Sequence, residues 1–171
     1  MRGRWRGRAN GFAIALVAAA LVAVTASASA TSIQPGPTLR VVDPTDGSAL
    51  VTVSLGPDRG FSLRYRNSLY GTLAEERFVI TADGRLRLVS LAADQLAVLE
   101  EYYAIDEPAV RASPDDRRQW LGIPAVPTAL AELAVAATDL GERTLIVEGR
   151  APIELWKLRR ADPTVVIEAE R

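Results

Sequence analysis

The stretch from Phe61 to Leu91 restricts the fold more than any other part of this 171-residue chain. Phe61, Leu63 and Tyr65 alternate with polar residues, and this period of two is typical of a half-buried β-strand. Similar alternation covers residues 74–81 and 85–88. The stretch therefore predicts three consecutive strands joined as antiparallel hairpins.

The loop between the second and third strands can be worked out from the rule that directly opposite residues share a face. A two-residue loop would place Ile80 opposite Arg87, whereas a three-residue loop, Ala82–Gly84, places Ile80 opposite Leu86. Three-residue hairpin loops end in a left-handed residue, and Gly84 adopts that conformation easily. We therefore predict a three-residue turn.

Other short apolar segments are separated by turn residues such as Pro44–Gly47 and Gly56–Gly60. The further strands predicted in this way are 39–42, 49–55, 130–137, 144–148, 152–158 and 164–168. The last four read as an antiparallel meander. The fold class is therefore all-β, an antiparallel β-sandwich or open barrel of about nine short strands.

Residues 92–103 depart from this pattern, because they are rich in helix formers and Asp94 can act as an N-cap. We predict a short helix near 93–102, with a continued strand edge as the alternative. Residues 104–128 are predicted as a long solvated connection, held to the core at its end by Trp120. The acidic residues of this connection match no cation-binding loop, so no metal site is predicted; they are Asp106, Glu107, Asp115 and Asp116.

The N-terminal residues predict export. Residues 1–30 combine four arginines, the apolar run Gly11–Val24 and the small-residue sequence Ala28-Ser29-Ala30, as in a signal peptide cleaved before Thr31. An uncleaved membrane anchor is the alternative. We expect a linker at 31–37, a single β domain at 38–171, and a periplasmic or extracellular location.

Composition narrows the classes of partner. The chain has no Cys, which excludes disulfides, so its stability must come from an ordinary core. Without the four N-terminal arginines, 16 basic and 21 acidic residues remain, a net charge of −5. Nucleic acid and anionic membrane surfaces are therefore not expected partners, and membrane contact is expected only through an uncleaved N-terminal segment.

Two polar residues, Asn67 and Glu76, fall on faces that are otherwise apolar. Both lie toward the 68–73 connection, and we expect them within a residue or two of being opposite each other. They are either rim residues at an open sheet end or members of a polar pocket. The predicted pocket consists of Tyr65, Asn67, Ser68, Thr72 and Glu76.

Catalysis has little support in the sequence. The chain has neither His nor Cys, which removes the usual triads and most transition-metal sites. A Ser68–Lys157 dyad would rest on composition alone. Glu75 and Glu76 are neighbours on one strand and point to opposite faces, so they cannot act as a glycosidase pair. We predict no catalytic residue and no cofactor.

The run Tyr65-Arg66-Asn67-Ser68, then Thr72, then Glu75-Glu76-Arg77-Phe78, resembles the core motif of the domain of unknown function 1850 (DUF1850) family. These are small exported proteins, often encoded beside TRAP transporter components of the TAXI subclass. Asn67 stands where the family usually has a His. The resemblance implies a non-catalytic accessory or binding module, whose partner would be a solute-binding protein or transporter subunit.

Three functions therefore remain open at this point. The first is the exported module that binds a protein partner or a small ligand, associated with a TRAP/TAXI-type solute uptake system. The second is a structural, envelope-associated β domain without a ligand, and the third is a hydrolytic enzyme.

Overall fold

The computed structural model describes residues 36–103, 105–126, 128–159 and 161–170. The predicted signal peptide (1–30) and most of the predicted linker lie outside these ranges, and their boundaries stay predictions. Within the ranges described, no helix has the length and hydropathy needed to span a membrane.

The described residues form twelve strands and two short helices. The strands are β1 Thr38–Val42, β2 Ala49–Ser54, β3 Gly60–Arg66, β4 Leu73–Ile80, β5 Leu86–Ala93, β6 Val110–Arg111, β7 Trp120–Gly122, β8 Ala129–Leu130, β9 Glu132–Ala136, β10 Thr144–Ile146, β11 Ile153–Glu154 and β12 Thr164–Ala169. A π-helix spans Val98–Tyr102 and a 3₁₀-helix spans Leu155–Lys157.

The strands form two antiparallel sheets. The smaller sheet has the order β2-β1-β12-β9, and the larger has the order β11-β10-β3-β4-β5-β7-β6, with β8 paired to β5. Buried side chains from both sheets form one core, including Leu39 and Ile167 from the smaller sheet and Leu63 and Leu145 from the larger. The all-β, sandwich-like prediction is confirmed. The described strands outnumber the nine predicted and do not close into a barrel.

The predicted turn between β4 and β5 is confirmed. Ile80 lies opposite Leu86. The Gly84 amide donates to the Thr81 carbonyl at 3.0 Å, and the Thr81 amide donates to the Arg85 carbonyl at 2.8 Å. Gly84 has a φ of 77°, the left-handed conformation that this turn requires. Alternation of apolar and polar residues was therefore sufficient to fix this register.

The short helix is present, but its predicted start is wrong. Ala92 and Ala93 belong to β5, where they pair with β4 on one side and with β7 on the other. Pairing on both sides outweighs their helical propensity. Asp94 does not cap the helix; its carboxylate accepts a hydrogen bond from Arg118 at 2.8 Å.

The predicted C-terminal meander is also wrong. β9 and β12 pair in the smaller sheet, whereas β10 joins the larger sheet between β3 and β11. The predicted strand at 152–158 is shorter, because the chain turns into the 3₁₀-helix and buries Leu155 completely. Local alternation identifies strands, but it does not say which of two sheets each strand joins.

Residues 104–128 contain more regular structure than the solvated connection that we predicted, although most of their described residues are exposed. This segment contains β6 and β7, and Trp120 in β7 packs against the core beneath the helix, as expected. Residues 112–119, which we call the arginine loop, cover the outer face of β4. Asp116 in this loop bonds Arg77 of β4 at 2.6 Å, and only 15% of its side chain is exposed.

Candidate functional site

Asn67 organises the turn that joins β3 to β4. Its side-chain Oδ1 accepts hydrogen bonds from the amides of Leu69 at 3.0 Å and Tyr70 at 3.1 Å. Its own amide donates to the Thr72 carbonyl at 2.8 Å, and Gly71 takes a left-handed φ of 66°. An Asx-type turn of this kind explains why a buried polar residue is required here.

Asn67 and Glu76 do not lie opposite each other, contrary to our expectation. Glu76 faces Leu63 across the hairpin, and the residue opposite Asn67 is Thr72. Glu76 therefore lies four strand positions from the level of Asn67, about 13 Å at the usual rise per residue. The tight turn at 68–71 puts the end of the ladder at Asn67, which leaves Glu76 well inside the sheet.

Glu76 instead belongs to a polar group formed with residues distant in sequence. The Tyr103 hydroxyl donates to Glu76 Oε1 at 2.7 Å, and Arg143 Nη1 lies 3.5 Å from Glu76 Oε2. The Tyr65 and Tyr103 hydroxyls share a hydrogen bond, and the Arg143 guanidinium carbon lies 4.7 Å from the centre of the Tyr65 ring. We call Tyr65, Glu76, Tyr103 and Arg143 the tyrosine cluster.

Both phenols of the tyrosine cluster are held in their protonated form. Burial raises the pKa of Tyr65 to about 12, and the negative charge of Glu76 adds to this effect. Burial and the charge of Glu76 also raise the pKa of Tyr103 far above its usual value. Since Tyr103 gives its proton to Glu76, Tyr65 must be the donor to Tyr103. The cluster is therefore a fixed chain of donors that ends on a carboxylate.

A cleft of about 160 Å³ opens beside this cluster. Three of the predicted site residues line it, Tyr65, Asn67 and Ser68, together with Arg143. Its other lining residues include two large exposed side chains, Tyr102 (63% exposed) and Leu140 (69% exposed). We call this feature the hairpin-end cleft. It combines charged and hydroxyl-bearing groups, including the exposed Arg66, with these two exposed side chains at its rim.

The five predicted residues therefore separate into three groups. Tyr65, Asn67 and Ser68 line the cleft, while Glu76 lies behind it and holds Arg143. Thr72 does not line the cleft, and its buried hydroxyl has no hydrogen-bond partner among the described residues.

Sequence reasoning missed Tyr102, Tyr103, Leu140 and Arg143. The local signal for the tyrosines was their adjacent position after two glutamates, Glu-Glu-Tyr-Tyr, at the end of the predicted helix. Nothing local marked Leu140 or Arg143, because they reach the cleft only after β10 pairs with β3.

Glu75 is the most completely buried charged residue among those described, although it lies on the outer face of β4. Its side chain is 0% exposed because the arginine loop covers it. Arg117 Nε lies 3.2 Å from Glu75 Oε2, and Arg77 Nε lies 3.2 Å from Glu75 Oε1. The neighbouring glutamates do point to opposite faces, as expected. Each has its own arginine partners, and Arg77 does not reach Glu76.

The structure does not join Ser68 to Lys157. The Lys157 ammonium bonds Glu154 at 2.7 Å and lies over the Trp156 ring, while Ser68 is exposed in the β3–β4 turn. No hydrogen bond connects the two residues in the described ranges. Over those same residues, no group of three His, Cys, Asp or Glu side chains is placed to hold a metal ion.

Comparison with protein-family models, with curated proteins and with solved structures finds no match to this chain. The resemblance to the DUF1850 family is therefore neither supported nor contradicted, and it stays a prediction.

Proposed function

We propose that this chain is an exported, non-catalytic binding module that holds a protein partner at the hairpin-end cleft. The observation that carries the proposal is a pair of large exposed apolar side chains at the rim of the cleft, beside fixed polar groups. Tyr102 and Leu140 are 63% and 69% exposed on the same cleft. Leu69, 74% exposed, lies in the turn next to the lining residue Ser68. Exposed apolar side chains grouped around polar ones are typical of protein interaction sites.

The polar side chains of the cleft are already held in position, which favours binding of a partner. Arg143 is held between the Glu76 carboxylate and the Tyr65 ring, so little side-chain freedom remains to be lost when a partner docks. Its guanidinium is 24% exposed and carries further N–H donors. A partner carbonyl or carboxylate would find a positioned donor there, next to the apolar contact of Tyr102.

The proposed partner is an extracytoplasmic solute-binding protein or a transporter subunit of a TRAP/TAXI-type system. This part of the proposal rests on the resemblance of residues 65–78 to the DUF1850 motif. The non-catalytic assignment rests on the sequence, which lacks His and Cys, and on Glu75 and Glu76 having separate arginine partners.

Affinity capture from the native envelope tests the proposal. The bait is the tagged chain, compared with the double variant Tyr102→Ser/Leu140→Ser. The matched control is Val110→Ser/Val126→Ser, which changes two exposed apolar residues that do not line the cleft. We expect the cleft variant to fold normally and to lose a transporter component that the wild type and control retain. Equal capture by all three proteins would contradict the cleft as the binding site, and capture of no transporter component by the wild type would favour a structural envelope domain.

A further inference from the structure

The outer edge of β2 presents unpaired backbone groups. β2 is the last strand of the smaller sheet, and β1 is its neighbour there. The Leu55 amide donates toward β1, to the Pro37 carbonyl at 2.9 Å. The direction of the backbone N–H and C=O groups alternates along a strand. Those of Val53 therefore also point toward β1, while those of Thr52 and Ser54 point away from it. In the described residues, no backbone partner faces Thr52 or Ser54 on that outer side.

This edge lacks the protection that the other sheet edges of the described residues have. β2 is six residues long, Ala-Leu-Val-Thr-Val-Ser, with neither charge nor proline. The end strands of the larger sheet, β6 and β11, have two residues each, and β9 carries the exposed charge of Glu132. Short strands and edge charges are the usual devices against unwanted pairing. β2 is therefore the edge best suited to accept another strand.

The side chains of β2 also leave apolar surface uncovered. Val51 and Val53 pack against the core, yet both are only partly buried. A strand added beside β2 would cover part of their exposed surface. Backbone pairing and burial of apolar surface would therefore act together.

We propose that β2 pairs antiparallel with β2 of a second copy of this chain, about a two-fold axis at Val53. This register puts Thr52 opposite Ser54 and Val51 opposite Leu55 of the second copy, with Val53 opposite its own equivalent. The outward backbone groups of Thr52 and Ser54 then make about four hydrogen bonds between the copies. Pairing joins the two four-stranded sheets into one continuous sheet.

A second copy fits this edge because the strand is complementary to itself. Residues 48–56 contain no charge, so the two-fold axis brings no like charges together. Hydroxyl residues meet hydroxyl residues on one face, and β-branched or leucine side chains meet on the other. An irregularity at Leu50 limits regular pairing to Val51–Leu55. The contact is therefore small, and the dimer depends on concentration.

Residue-resolved amide exchange tests the pairing in wild-type protein produced from the full-length coding sequence. We expect the Thr52 and Ser54 amides to exchange more slowly as protein concentration rises, while the Val53 amide is slow throughout. Fast exchange of Thr52 and Ser54 at every concentration would overturn the proposal. Slow exchange that is independent of concentration would also overturn it, because the chain itself would then cover the edge.

Sedimentation equilibrium with two variants gives a second readout. The wild-type mass should rise from one chain toward two with concentration. Thr52→Pro removes only the outward amide, which an edge strand tolerates, and it should stay monomeric. Thr52→Val keeps that amide and should dimerise like the wild type. Dimerisation of the proline variant equal to that of the wild type would refute pairing through β2.

Discussion

Glu75→Gln tests whether the buried charge under the arginine loop stabilises the fold. The Glu75 side chain is 0% exposed and faces Arg117 and Arg77. Substitution by glutamine keeps the shape of the side chain but removes its charge. Arg77 keeps Asp116 at 2.6 Å, so the loss falls on the Glu75 contacts.

The expected loss of stability can be estimated from the burial of the charged groups. Removing one partner of a buried ion pair costs about 3–5 kcal/mol. The Arg117 side chain is 53% exposed, so water screens part of its interaction, whereas the Arg77 side chain is 22% exposed. We therefore expect Glu75→Gln to lower the free energy of unfolding by about 2–3 kcal/mol.

Urea denaturation at neutral pH measures this difference, with Glu76→Gln as the matched control. Glu76→Gln keeps an acceptor for Tyr103 and weakens only the 3.5 Å pair with Arg143. Its cost should stay below about 1 kcal/mol. If Glu75→Gln costs less than about 0.5 kcal/mol, or no more than its neighbour, the arginine loop does not stabilise the fold in this way.

The pH dependence of this difference supplies an independent check. Burial alone would raise the pKa of Glu75, but hydrogen bonds from Arg117 and Ser62 and the charges of Arg117 and Arg77 outweigh it and lower the pKa. A group whose pKa is lowered by folding stabilises the protein above its unfolded value and loses that contribution as pH falls through its folded value. The gap between wild type and Glu75→Gln should therefore be constant near neutrality and shrink below about pH 4.

Three further predictions concern the turn, the tyrosine cluster and export. Gly84→Val should lower the free energy of unfolding by about 1–3 kcal/mol through backbone strain alone, since no atom lies within 4 Å of an added Cβ. Gly84→Asn should cost less in the same urea titration, because asparagine tolerates this φ. Equal costs for the two variants would contradict the turn assignment. Glu76→Leu should cost about 1–3 kcal/mol more than Glu76→Gln, because it removes the acceptor of the Tyr103 hydroxyl and the carboxylate that faces Arg143. A stabilising Glu76→Leu would refute the role of Glu76 in the tyrosine cluster. The intact mass of the native protein should correspond to a chain that begins at Thr31. A mass that includes residues 1–30 would contradict cleavage of the signal peptide.

Much of the fold could be predicted because short-range pattern controls it. Alternation and turn chemistry predicted the β4–β5 register correctly from the turn to Phe78, since a slip at Ile80 would expose a core face, but not the shift in pairing between Arg77 and Phe78. Sheet membership could not be predicted, because β9 and β10 look equally strand-like and differ only in their distant partners. The predicted helix included Ala93 because pairing on both sides cannot be read from local propensity.

The candidate site was predicted only in part, for the same reason. Tyr65, Asn67 and Ser68 come from one hairpin, and local reasoning could find them. Tyr103 reaches the cluster from the end of the π-helix, and Arg143 reaches it from the loop before β10. Glu76 was singled out as the misplaced charge, whereas its neighbour Glu75 is more deeply buried. A polar residue on an outer face carries no sequence signal that a loop will cover it.

Site-specific photo-crosslinking in the native cell tests the central claim most directly. A photoreactive residue is placed at Tyr102 or Leu140 on the cleft rim, and at Val110 or Val126, which do not line the cleft. We predict that both rim positions capture the same extracytoplasmic transporter component and that neither control position does. Absence of adducts at the rim, or the same adducts at all four positions, would contradict the binding role of the hairpin-end cleft.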